Sequence, residues 1–70
     1  MSKEIDIIVN GMNEKVQEDS AIAFLIDHFG EGDTDLIVEH NGRFVYPDKY
    51  SATVVSEGDR LEFINPNFGG

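Results

Sequence analysis

The chain begins with an alternation of apolar and polar residues that is typical of paired β-strands. In "EIDIIVNG" every second residue from Ile5 to Val9 is apolar, and the following Asn10-Gly11 pair favours a tight hairpin turn. The segment after the turn, "MNEKVQ", alternates again, with Met12 and Val16 available to one face. These patterns predict a strand, a turn and a second strand.

The next segment, "EDSAIAFLIDHFG", changes to helical spacing. Its large apolar residues recur three or four positions apart and form one stripe suited to burial, namely Ile22, Leu25, Ile26 and Phe29. Phe24 falls off this stripe, so we expect it to be partly exposed. Asp19 or Ser20 is placed to cap the helix, and Gly30 to end it in a left-handed conformation. We predict one helix here.

The second half of the chain predicts further short strands. "LIVEHNGRFV" repeats the opening pattern around an Asn41-Gly42 turn, and Pro47 fits the start of a 3₁₀ turn. In the last strand, "LEFIN", alternation places Leu61 and Phe63 on the face opposite to Ile64. One helix covers only one face of such a sheet, which predicts an α+β domain with a mixed sheet. We expect a folded domain over residues 1–64 and a flexible tail over residues 65–70.

Composition narrows the classes of partner. The 70 residues contain 14 acidic and 5 basic side chains, for a net charge of −9. This charge repels phosphate backbones and anionic membranes, so we expect no nucleic-acid or membrane partner. It is compatible with a partner that has a basic docking surface, although such acidity more often serves solubility. There is no cysteine, which suits a reducing cytoplasm, and neither a signal peptide nor a membrane span is expected.

The sequence offers little that resembles an enzyme site. His28 and His40 are the two histidines, and neither lies in a metal-binding or general-base motif. The glycines in "GEGD" follow the helix and are flanked by acids, which is unsuitable for binding phosphate. We therefore predict no metal site, no bound cofactor and no catalysis by this chain itself.

The last residues, Gly69 and Gly70, are the most informative feature. A Gly-Gly end has no β-carbons and fits a channel too narrow for other residues, so the reactive group it delivers is its α-carboxylate. Condensation with ATP would give an acyl adenylate. An amine would then form a conjugate, whereas sulfur would form a terminal thiocarboxylate. A passive tail on an interaction module is the third possibility.

Three segments resemble the ThiS/MoaD family of ubiquitin-like β-grasp sulfur carriers, above all its ThiS members. "IIVNG" resembles the family's first strand and turn, "HNGRFVYPDKY" its N-x-x-x-V-P segment, and "EGDRLEFINPNFGG" its D-G-D turn, apolar strand and Gly-Gly ending. The small subunit of molybdopterin synthase ends similarly, but the middle segment favours ThiS. The resemblance spans nearly the whole chain and implies a β-grasp sheet of four to five strands with one main helix.

The resemblance also implies roles for the tail. Gly70 would be adenylated by a ThiF-like E1 enzyme using ATP and magnesium, and then converted to a thiocarboxylate with sulfur from a donor such as a cysteine desulfurase. The sulfur would pass to a ThiG-like thiazole synthase in thiamine biosynthesis. Gly69, Phe68 and Asn67 would thread and seat the tail, and the chain would be a carrier and co-substrate.

Two further features complete these expectations. Phe68 stands where the family often has a small or aliphatic residue, which leaves molybdopterin, cysteine or homocysteine pathways, or protein modification, as alternatives. Ile8 and Ile64 alternate with the predicted core residues, and we expect them to form an exposed apolar patch, ringed by acids, for docking the E1-like partner. The alternative is that they pack under loops.

Overall fold

A computed structural model describes residues 3–66. Over this range the chain forms five strands, one α-helix and one 3₁₀ turn. In chain order these are β1 (Glu4–Val9), β2 (Met12–Gln17), α1 (Ile22–His28), β3 (Ile37–His40), β4 (Arg43–Val45), the 3₁₀ turn (Pro47–Lys49) and β5 (Arg60–Ile64). The tail residues singled out above, Asn67, Phe68, Gly69 and Gly70, lie outside the described residues.

The strands form one mixed sheet in the order β2-β1-β5-β3-β4. β1 pairs in parallel with β5, whereas the other neighbouring strands are antiparallel. The last strand therefore lies in the centre of the sheet, between the first strand and β3. This mixed sheet with one helix confirms the α+β prediction and the ubiquitin-like β-grasp fold.

Both Asn-Gly pairs form the predicted hairpin turns. The φ angles are 51° and 83° at Asn10 and Gly11, and 52° and 82° at Asn41 and Gly42. Two consecutive positive φ angles are the signature of type I′ turns, which Asn and Gly tolerate best. The turns fix the register of both hairpins, so that Val9 pairs with Met12 and His40 with Arg43.

The core lies between α1 and one face of the sheet. Leu61 and Phe63 are buried on this face, as their alternation predicted, and Phe24 on the helix is exposed. The apolar stripe of α1 is buried at three positions, and Phe29 is partly buried against the same core. The buried cluster comprises Ile5, Ile7, Val9, Val16, Ile22, Leu25, Ile26, Val38, Val45, Val55, Leu61 and Phe63.

The start of α1 differs from the prediction. Ala21 is the N-cap residue, without a side-chain hydrogen bond, and the Ser20 hydroxyl instead donates to the Gln17 carbonyl at 2.6 Å. No side-chain cap is needed because the amides of Ile22 and Ala23 donate to carbonyls of the segment after the 3₁₀ turn.

The predicted helix end is confirmed. Gly30 has a φ angle of 71°, and its amide donates to the Asp27 carbonyl. The amide of Glu31 donates to the Ile26 carbonyl at 2.8 Å. Together these bonds form a Schellman motif, which satisfies carbonyls that the helix leaves unpaired.

Candidate functional site

The root of the tail is held in place by contacts from two directions. The Phe63 amide donates to Asn10 Oδ1 at 2.8 Å, which ties the central strand to the first hairpin turn. The Asn65 side-chain amide donates to Glu31 Oε1 at 3.1 Å. This bond ties the first residue after β5 to the loop that follows α1. The chain therefore leaves the sheet from a fixed point. The sequence indicated the turn at Asn10 but gave no signal for its bond to Phe63.

An open groove of about 530 Å³ lies beside this tail root. We call it the tail-root groove. Its lining combines apolar side chains of β5 with several hydrogen-bond acceptors: Asn10, Gly11, Glu31, Glu62, Phe63, Ile64 and Asn65. The Oδ1 atom of Asn65 is buried and has no hydrogen-bond donor among the described residues.

The face of the sheet opposite to α1 carries the two predicted docking residues. Ile64 is 39% exposed, and Ile8 is half-buried. They do not adjoin, because Ile8 pairs with Arg60 whereas Ile64 pairs with Ile37. Arg60 and Ile64 are four residues apart on β5, which corresponds to about 13 Å along the strand. The two isoleucines thus share a face but do not form the single patch that we expected.

An exposed aromatic pair on this face was not singled out from the sequence. Phe44 and Tyr46 are 50% and 64% exposed, and their rings meet edge to face with centroids 4.6 Å apart. Phe44 lies on β4 at the edge of the sheet, opposite Glu39 of β3. The sequence signal was available, since both aromatics alternate with the buried Val45.

Two carboxylates face each other in the middle of this surface. Glu39 of β3 is the direct partner of Glu62 on β5, and neither has an ion-pair or hydrogen-bond partner within residues 3–66. Asp6, one of the two acids on β1, differs because it forms an ion pair with Lys15 at 2.9 Å. Hydrogen bonds from Lys15 and Asn13 hold the pKa of Asp6 below its usual value.

His40 belongs to a structural network. Its Nε2 atom lies 2.8 Å from Asp59 Oδ2, which also accepts the Ser56 amide at 2.8 Å. Asn41 Nδ2 donates to Asp59 Oδ1, and Asn41 Oδ1 accepts the Arg60 amide. Burial opposes ionisation of Asp59, but the hydrogen bonds from His40, Ser56 and Asn41 outweigh it and lower the pKa of Asp59.

The other histidine contacts an aromatic side chain on α1. His28 stacks on the exposed ring of Phe24, with centroids 5.8 Å apart. In the part of the chain that the structure describes, no group of three or more acidic or histidine side chains is arranged to hold a metal ion. No helix within residues 3–66 is long and apolar enough to cross a membrane.

Comparison with known proteins decides the family. The sequence profile of the ThiS family matches residues 3–70. The chain belongs to the ThiS family. Its structure is also similar to the crystal structure of the thiamine biosynthesis protein ThiS from Geobacter metallireducens, with a TM-score of 0.82 and 28% sequence identity over 94% of this chain and 100% of that chain. A comparison with curated protein sequences gives no significant match.

Hydrogen bonds join the two segments that resemble the family's N-x-x-x-V-P and D-G-D motifs. Asn41 belongs to the segment resembling N-x-x-x-V-P, and Asp59 to the turn resembling D-G-D. In this ThiS-family chain the two side chains bond to each other and hold the β3–β4 turn against the start of β5. These motif residues therefore position the central strand, from which the tail extends.

Proposed function

We propose that this chain is a sulfur carrier that supplies sulfur for thiazole formation in thiamine biosynthesis. The supporting observation is the family match, which extends to Gly70 and so includes the Gly-Gly ending. The similarity to a thiamine biosynthesis protein favours that pathway over the other sulfur-carrier pathways. The chain is a co-substrate of its partners in this proposal, and an E1-like adenylyltransferase performs the activation.

The proposed chemistry takes place at the α-carboxylate of Gly70. A carboxylate oxygen attacks the α-phosphorus of ATP, with magnesium held by the activating enzyme, and pyrophosphate leaves. A hydrosulfide equivalent from the sulfur donor then attacks the acyl carbon, and AMP leaves with the original carboxylate oxygen. The product is a thiocarboxylate, whose sulfur a ThiG-like synthase incorporates into the thiazole ring.

The fixed point at which the tail begins supports this role. The root of the tail is fixed by Asn10 and Glu31, as described above. The six residues from 65 to 70 span at most about 20 Å when extended, which is enough to reach into a partner's active site. Gly69 would pass the narrow part of that site, with Phe68 and Asn67 seated at its entrance.

The surface opposite to α1 is the proposed docking face for the activating enzyme. It presents Ile64 with its neighbour Ile37, the pair Phe44 and Tyr46, and Ile8 farther along the sheet. Aromatic residues are enriched at protein interfaces, and the buried centre of an interface is more apolar than the rest of the protein surface.

Extension of the chain by one residue after Gly70 tests the proposal. The wild-type chain should support ATP-dependent AMP release by its activating enzyme in the presence of a sulfur donor. The extended chain should not, because its terminal carboxylate is displaced from the reactive position. Undiminished AMP release with the extended chain would contradict the proposal, and lysine-linked adducts in place of a thiocarboxylate would indicate a protein modifier.

A further inference from the structure

The tail-root groove combines apolar side chains with a carboxylate that forms no ion pair in the described part of the chain. Phe63 and Ile64 supply the apolar part, while Glu62 and Asn65 contribute oxygens. The Glu62 carboxylate forms no ion pair within residues 3–66. A carboxylate beside apolar surface favours a basic side chain as its partner.

The Glu39 and Glu62 pair strengthens this conclusion. Like charges placed directly opposite each other on neighbouring strands destabilise a sheet. Arg60 is two residues from Glu62 on the same face of β5, but it forms no ion pair in the described part of the chain. A partner's positive charge placed against Glu62 would relieve the repulsion between Glu62 and Glu39.

We propose that the tail-root groove receives a basic side chain of the activating enzyme, and that Glu62 and Glu39 select it. Arginine fits best, because a planar guanidinium pairs with a carboxylate through two N–H donors and is more weakly hydrated than the ammonium group of lysine. Contact here would hold the partner next to Asn65, where the tail begins. The inference rests on the proposed function, since it names a contact of that same activating enzyme.

Matched Glu→Gln variants test this contact. Glu62→Gln and Glu39→Gln each remove one charge from the pair. Glu14→Gln is the control, because it removes one charge from β2 at a residue that lines no part of the groove. Glu14 lies on the same strand face as the buried Val16. The measurement is ATP–pyrophosphate exchange by the activating enzyme as a function of carrier concentration, together with the melting temperature of each free carrier.

We expect Glu62→Gln to raise KM for the carrier about tenfold, and Glu39→Gln to raise it less, with kcat unchanged, because the charge acts in docking and not in chemistry. Glu14→Gln should match the wild type. The melting temperatures of the pair variants should equal or exceed that of the wild type, because a like-charge contact is lost.

Three results would overturn the inference. One is a KM for Glu62→Gln equal to that of Glu14→Gln. Another is a lower melting temperature for Glu62→Gln, which would identify a stabilising role of the carboxylate within the fold. Absence of exchange with the wild-type carrier would overturn the proposed function together with this contact, whereas normal exchange that is insensitive to Glu62 would overturn the contact alone.

Discussion

Replacement of Asp59 by alanine should destabilise the domain strongly without touching the reactive tail. The Asp59 carboxylate accepts hydrogen bonds from the Ser56 amide and Asn41 Nδ2, and lies 2.8 Å from His40 Nε2. The Asp59 and His40 side chains are only 16% and 19% exposed, so water replaces the lost partner incompletely. Each bond to a charged acceptor contributes about 1.5–3 kcal/mol, and partial recovery by water at the exposed Ser56 amide lowers the sum.

We expect a loss of about 2–4 kcal/mol in the free energy of unfolding. A domain of this size has roughly 4–10 kcal/mol in total, at 0.05–0.15 kcal/mol per residue. Each kilocalorie per mole shifts the melting temperature of a small domain by about 4–8 °C. Asp59→Ala should therefore lower the melting temperature by roughly 8–32 °C. Asp27→Ala is the matched control, because Asp27 is exposed on α1 and should change stability by less than about 0.5 kcal/mol.

The assay is urea unfolding followed by circular dichroism at several pH values. The pKa of Asp59 in the folded chain lies below its ordinary value of 3.8. The contribution of ionised Asp59 to the free energy of unfolding is therefore complete above pH 3.8 and is lost as the pH falls through the pKa of the folded chain. The difference in the free energy of unfolding between the wild type and Asp59→Ala should be largest at pH 7 and should decrease below about pH 4. An Asp59→Ala variant as stable as Asp27→Ala at pH 7 would refute the structural role of this network.

Three further changes test the core, the tail root and the tail. Phe63→Ala should cost about 3–5 kcal/mol in urea unfolding, because the side chain is buried against the core; an unchanged midpoint would show that it contributes no packing. Asn10→Gly removes the acceptor of the Phe63 amide, while glycine tolerates the φ of 51° at this position. The Phe63 amide should then exchange with deuterium faster, and the free energy of unfolding should fall by about 1–2 kcal/mol. An exchange rate equal to that of the wild type would contradict this hydrogen bond. Gly69→Val should leave the urea midpoint unchanged and block adenylation under the proposed function; normal AMP release would contradict the threading role.

The secondary structure could be predicted because its signals are local. The Asn10-Gly11 and Asn41-Gly42 pairs specify type I′ turns, and these turns fix the hairpin registers whatever the rest of the chain does. The capping residue of the helix was predicted wrongly because its structure depends on contacts with a distant segment. The first amides of the helix bond to carbonyls of a segment distant in sequence, so the usual advantage of a side-chain cap at Asp19 or Ser20 is absent.

The surface features depend on pairing between distant strands, which alternation alone does not determine. Alternation placed Ile8 and Ile64 on one face, but their separation follows from the parallel register of β1 and β5. The same register information is needed to find that Glu39 faces Glu62. Hydrogen bonds such as that from Phe63 to Asn10 join residues far apart in sequence and leave no periodic signal.

The most direct test of the sulfur-carrier role is the intact mass of the chain after incubation with its activating enzyme, ATP, magnesium and a sulfur donor. The proposed function predicts a mass gain equal to the replacement of one oxygen by sulfur, located by fragmentation at Gly70 and absent without ATP. A terminus that remains an ordinary carboxylate under conditions that load another ThiS-family carrier would contradict it.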